Sequence, residues 1–171
     1  MKNIKGYMLD EELLWLYEQM KSVVTNGIVV EIGVWMGRSS YAIAKGANDF
    51  GRNVELFFVD DFKGHDPVLV KKLKEKNVLK IFKDNMRQFD YTLIKKDSVS
   101  ASKQFKNNSI DFLFIDGDHS YDGVVADLDA WWPKVRGVMC GHDYKADQYG
   151  VKKAVDEKFE IKNPVGSIWL V

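Results

Sequence analysis

The chain has 171 residues, 46% of them hydrophobic, and its 25 basic side chains equal its 25 acidic ones. That length suits one domain with its own core, and a formal net charge of zero gives no global field toward nucleic acid or an anionic membrane. The single cysteine, Cys140, excludes an intramolecular disulfide, and neither a run of ~18 apolar residues nor a signal-peptide core is present, so a reducing cytoplasmic setting and a small-molecule partner are expected.

Along the chain, Asp10 reads as an N-cap for a helix over residues 11–24, whose Leu13, Leu16, Met20 and Val23 recur at helical spacing. Residues 1–26 thus form a helical N-terminal segment ahead of a core at 27–171. Strands are predicted at 28–32, 54–59, 92–95, 110–115 and 138–140, and helices at 39–50, 67–76, 78–89, 99–105, 121–132 and 147–158. Continuous apolar strands alternating with helices belong to a parallel sheet covered on both faces, so the fold class is α/β, a doubly wound three-layer sandwich. The tail differs. Residues 159–162 and 167–171 are strand-like but separated by Asn163-Pro164-Val165-Gly166, too short for a crossover helix, which predicts an antiparallel hairpin.

The first strand runs into Glu31-Ile32-Gly33-Val34-Trp35-Met36-Gly37-Arg38-Ser39-Ser40. Glycines there allow close backbone approach, and the free N–H groups of the following helix face the space beyond the strand. A dinucleotide fingerprint G-x-G-x-x-G would need glycine where Trp35 and Arg38 stand, and no G-x-x-x-x-G-K-[ST] occurs. The remaining Glu-x-Gly-x-x-x-Gly turn favours a ligand with positive charge near it. S-adenosylmethionine, with its α-ammonium and sulfonium, is such a ligand. Asp60, after the second strand, stands where an acid accepts from ribose hydroxyls.

Strand 110–115 ends in Asp116-Gly117-Asp118-His119, and strand 138–140 leads into Gly141-His142-Asp143-Tyr144. Adjacent strand ends can converge Asp116, His119, His142 and Asp143 on one pocket. Methylating a hydroxyl needs a base or a cation that lowers its pKa. His119 is the candidate base, with Asp116 beside it, and Asp116, His142 and Asp143 are the candidate metal ligands. The loop Phe62-Lys63-Gly64-His65-Asp66-Pro67 is placed to cover the pocket.

These motifs, with Val59-Asp60-Asp61-Phe62-Lys63-Gly64 and Asp116-Gly117-Asp118-His119-Ser120-Tyr121, resemble a class I S-adenosylmethionine-dependent methyltransferase. The likeness is greatest to the compact subgroup containing sugar and natural-product O-methyltransferases. The resemblance implies a Rossmann-like, seven-stranded sheet whose last strand is antiparallel. It implies that Gly33 and Gly37 line the methionine end of the cofactor, that Glu31 and Ser39 fix its polar groups, that Asp60 holds the ribose, and that Asp116 also borders the cofactor. Asp97-Ser98 matches the adenine-contacting position, though Asp97 reads equally as a helix N-cap. In metal-dependent relatives the cluster is carboxylate and amide oxygen, which suits Mg²⁺. His142 departs from that pattern and suits Mn²⁺ or Zn²⁺ better. The expected activity is methyl transfer to a hydroxyl of a small molecule such as a sugar, assisted or not by a divalent metal. N-methylation, a noncatalytic cofactor-binding module acting with a partner, and a nicotinamide reductase are the alternatives. A homo-oligomer is also considered, since a neighbouring subunit could wall the pocket of so short a chain.

Overall fold

The computed structural model describes residues 4–64, 77–146, 149–161 and 165–171. Its strands are β1 (Ile28–Ile32), β2 (Glu55–Val59), β3 (Thr92–Ile94), β4 (Ile110–Ile115), β5 (Val135–Gly141) and β6 (Trp169–Leu170). They form one sheet in the order β3-β2-β1-β4-β5-β6. The first five are parallel, and β6 runs antiparallel to β5 with Gly141 opposite Trp169. Chain order reverses between β1 and β4, so the crevice past their carboxyl ends is where such a sheet collects ligands.

Successive strand residues point to opposite faces, and each face has its own apolar layer. Val29, Phe58, Phe112 and Phe114 pack with α1 (Asp10–Gln19), α2 (Arg38–Asp49) and α3 (Val78–Met86) through Leu16, Met20, Ile43 and Phe82. Val30, Val59, Leu113 and Met139 pack with α4 (Ser98–Ser102), α5 (Tyr121–Trp131) and α6 (Val151–Asp156) through Ala101, Leu128, Trp131 and Val155. This is the three-layer Rossmann-like sandwich. Among the described residues, no helix is long and apolar enough to cross a membrane.

Several boundaries differ from the sequence reading, each for a local reason. Asp10 is the first residue of α1 rather than its cap; the Leu9 N–H is taken by Glu12 Oε2 at 2.7 Å. The helix ends at Gln19, short of residue 24. β5 begins at Val135, where a 3₁₀ turn at Trp132–Lys134 delivers the chain opposite Ile110. The β4–β5 register shifts between Ile110 and Phe112. There Asp111 takes a two-nitrogen fork from Arg136, both contacts at 2.9 Å, and the Ile28 N–H at 2.8 Å, so side-chain bonds tie the start of β1 to this edge.

The tail keeps its antiparallel strand but not the hairpin. Phe159, Glu160 and Ile161 form no strand, and Phe159 packs on Trp132 with ring centroids 4.9 Å apart. β6 pairs with β5 instead. The described residues therefore hold six strands where seven were expected. Lys162 and the predicted helix at 67–76 lie outside the described residues, as do Asp147 and Gln148 at the start of the last predicted helix, of which Val151–Asp156 is formed.

Candidate active site

At the carboxyl edge of β1, β2, β4 and β5 lies a cavity of about 1280 Å³. Its floor is the β1–α2 turn. Gly33 lines the cavity at φ +79°, a conformation costly for any L side chain. Gly37 does not line it. This glycine sits at φ +86° as the N-cap of α2, where an added Cβ would lie 3.1 Å from the Phe82 ring. The αL conformation is by itself a reason for glycine at this position.

Asp60 anchors this turn. Its Oδ2 accepts the N–H groups of Val34 and Trp35 at 2.9 and 3.0 Å, and Oδ1 accepts that of Phe62 at 2.7 Å. Burial raises its pKa, while these three donors oppose the rise. Asp60 lines the cavity, as a ribose ligand must, but it also fixes the backbone of the loop.

Glu31 is completely buried and accepts the hydroxyl of Ser39, which itself lines the cavity. The other carboxylate oxygen, Oε2, is buried without a partner. Burial pushes the Glu31 carboxyl up to about 8 against the lowering influence of Ser39, with nearby Asp116 and Asp60 adding to the rise. An orphaned acidic oxygen behind the glycine turn fits a ligand that brings a positive charge there.

Asp97 and Ser98 lie on the cavity wall with structural partners of their own. Asp97 caps α4 by accepting the Ser100 N–H at 2.9 Å, which holds its carboxyl below the usual range. Ser98 Oγ accepts the Trp131 indole N–H at 2.8 Å, tying α4 to α5. The two readings of Asp97 therefore coexist: it is a cap and it faces the cavity.

The four predicted reacting residues do converge. His119 Nε2 lies 3.1 Å from Asp143 Oδ2 and 3.4 Å from Asp116 Oδ1. His142 Nδ1 faces the same two oxygens at 3.5 and 3.9 Å. Asp143 reaches this position with φ +60°. Tyr149 stacks on the His119 ring at 4.6 Å, and the Gly150 N–H binds the His119 carbonyl at 2.9 Å, so the imidazole is held from behind. Asp118 turns back to accept the Ser120 N–H at 2.8 Å.

Burial disfavours the charged form of both rings, yet the carboxylates outweigh it. His119 is raised by Asp116 and Asp143, and His142 is raised to about 9 by Asp143, Asp116 and Glu12. Asp116 is raised chiefly by burial. Asp143, which burial also pushes upward, is held below the usual range by His142. Asp116, His142 and Asp143 each offer a donor atom within 4.8 Å of the others. Two carboxylates and one imidazole suit Mn²⁺ or Zn²⁺ better than the all-oxygen shell Mg²⁺ prefers.

Two site residues escaped the sequence reading. Tyr149 falls at the start of the helix predicted over 147–158, but it lies in the loop ahead of α6. Glu12 is buried in α1, with its Oε2 3.1 Å from His142 Nε2; an acid in phase with Leu16 and Met20 on the apolar stripe was the available sign. Phe62 and Gly64 of the loop after β2 line the cavity, whereas His65, Asp66 and Pro67 lie outside the described residues.

Residues 30–144 match the sequence family described as a methyltransferase domain. The chain belongs to that family. Its architecture is that of the class I S-adenosylmethionine-dependent methyltransferases. A curated protein of Sinorhizobium fredii (strain NBRC 101917 / NGR234), y4gI, is 26% identical over 125 residues, which are 71% of this chain and 14% of that protein. This methyltransferase-family chain thus spans a small part of that relative's length. Among solved structures, the O-methyltransferase NovP superposes with a TM-score of 0.68 at 19% identity, over 94% of this chain and 78% of its own. CalS11, a TDP-rhamnose 3'-O-methyltransferase of calicheamicin biosynthesis, gives 0.62 at 15% identity, over 94% and 76%. At these identities the likeness speaks for the fold.

Proposed function

We propose that this chain transfers the methyl group of S-adenosylmethionine to a hydroxyl oxygen of a small molecule, with sugars and other metabolites bearing adjacent hydroxyls as the acceptor class. The observation that carries this reading is the meeting of His119 Nε2 with Asp116 and Asp143, at 3.4 and 3.1 Å, in the cavity whose floor is the Gly33 turn. S-adenosylmethionine, when bound, supplies an electrophilic methyl on a sulfonium centre. Gly33, Ser39 and Asp60 hold it, with the Glu31 oxygen behind Ser39 answering its positive end.

His119 takes the acceptor hydroxyl's proton. Asp116 and Asp143 raise the basicity of the ring and stabilise it once protonated, and Tyr149 keeps it aimed. The oxygen is thereby freed to bond to the methyl carbon as the carbon–sulfur bond breaks. A divalent cation held by Asp116, His142 and Asp143 would lower the pKa of that hydroxyl and orient it. The chain's zero formal net charge favours a small acceptor over nucleic acid or membrane. The chain is taken to work in the cytoplasm.

The test is a mass-spectrometric screen for S-adenosylhomocysteine release over sugar nucleotides, free sugars, catechols and primary amines, with Mn²⁺, Mg²⁺ or chelator present. Hydroxyl-dependent turnover that disappears in His119→Ala supports the proposal. Turnover on amines alone would replace it with N-methylation, and cofactor binding with no turnover on any acceptor would favour a noncatalytic module.

A further inference from the structure

The mechanism above leaves unused a carboxylate that α1 drives against the centre. The Glu12 side chain is 2% exposed. Its Oε2 accepts the Leu9 N–H at 2.7 Å and lies 3.1 Å from His142 Nε2, and its Oε1 accepts the Ser167 N–H at 2.7 Å. The turn before β6 is shaped around it: Gly166 stands at φ +57°, and a Cβ there would fall 2.5 Å from Glu12 Oε1. A carboxylate is costly to bury unless its oxygens are paired. Here the start of α1, the tail and an imidazole at the end of β5 supply the partners.

This pairing constrains His142. An ionised carboxylate only accepts, so the ring nitrogen facing Glu12 must carry the proton. In the neutral ring the lone pair then belongs to Nδ1, the atom turned toward Asp143 Oδ2 and Asp116 Oδ1. Carboxylates in this relation to metal-binding imidazoles fix both tautomer and ring orientation.

We infer that Glu12 is a positioning residue: by accepting the Nε2–H of His142 it turns the Nδ1 lone pair toward Asp116 and Asp143, and so sets the affinity of that centre for a divalent cation. The inference rests on the metal-assisted form of the proposed function. It makes the N-terminal helix part of the reacting centre although α1 contributes no group to it directly.

The experiment is a titration of the chain with Mn²⁺, read by the electron paramagnetic resonance of free Mn²⁺, for the parent and Glu12→Gln. S-adenosylhomocysteine calorimetry runs in parallel as a measure of an intact site. Glutamine keeps the size of Glu12 but cannot accept on both sides. Mn²⁺ affinity lower by roughly 10- to 100-fold, with S-adenosylhomocysteine affinity at the parent value, supports the inference. A variant that binds both ligands as the parent does overturns the role of Glu12 alone. A parent that binds no Mn²⁺ overturns the metal-assisted reading itself, and the inference with it. If Glu12→Gln fails to fold, long-range ¹H–¹⁵N correlation of the parent His142 ring at alkaline pH decides: a proton on Nε2 supports the inference, and a proton on Nδ1 with the lone pair on Nε2 overturns it.

Discussion

Gly33 and Asp116 touch through their backbones: a Cβ added to Gly33 would lie 2.0 Å from the Asp116 carbonyl oxygen. The contact places the glycine turn after β1 directly against the strand end that carries Asp116, with the Asp116 N–H bonded to the Ile32 carbonyl at 2.8 Å. Distance and dihedral both forbid a side chain here. Gly33→Ala is expected to lose at least ~2 kcal/mol of stability from crowding and a disfavoured φ and to lose S-adenosylhomocysteine binding. Thermal unfolding and calorimetry check both.

His119 should carry the proton transfer without carrying the fold. His119→Ala is expected to lower kcat by about 10²- to 10⁴-fold, the usual reach of a general base. Calorimetric affinity for S-adenosylhomocysteine should stay at the parent value. An equal loss of binding and turnover would assign the ring to cofactor binding instead.

Asp60 serves three backbone N–H groups with two oxygens, and asparagine offers only one acceptor oxygen. Asp60→Asn turns an amide N–H toward at least one of those donors, at a cost of about 1–3 kcal/mol for the unsatisfied group. The expected results are faster hydrogen exchange at Val34, Trp35 or Phe62 and weaker S-adenosylhomocysteine binding. Unchanged exchange at all three amides would show that the turn holds itself.

Glu31 makes the free chain sensitive to pH. Its folded pKa of about 8 lies above the ordinary 4.5 of the unfolded chain, so the folded state binds the extra proton between those values. The stabilisation is complete below pH 4.5, falls as pH rises, and is gone above pH 8. Over the full window this amounts to several kcal/mol. Glu31→Gln should therefore flatten the dependence of Tm on pH and stabilise the free chain at pH 8 relative to the parent. A parent-like slope in the variant would place the pH dependence elsewhere.

The parallel sheet was legible because β1, β2 and β4 are near-continuous apolar runs, and a strand buried on both faces has no other use for Val29-Val30 or Phe112-Leu113-Phe114. The convergence of Asp116, His119, His142 and Asp143 was legible for a related reason: all four follow the carboxyl ends of neighbouring parallel strands. The partners of individual groups were not legible. Glu12 meets residues 130 and 155 positions away, a spacing set by the packing of α1 and the tail and marked by no local pattern. Gly37 read as ligand-lining because a turn glycine signals close approach, when its αL cap against Phe82 is sufficient reason. The hairpin expected at the tail gave way because the strand after Gly166 found an open edge on β5, whose Gly141 leaves room for the Trp169 ring.

The most direct measurement is a crystal structure with S-adenosylhomocysteine. The ligand is expected to lie over Gly33 and Ser39 with its ribose at Asp60 and its sulfur turned toward His119 and Asp143. A ligand seated outside this crevice, or one whose sulfur points away from the imidazole and carboxylate cluster, would contradict the proposed methyl transfer.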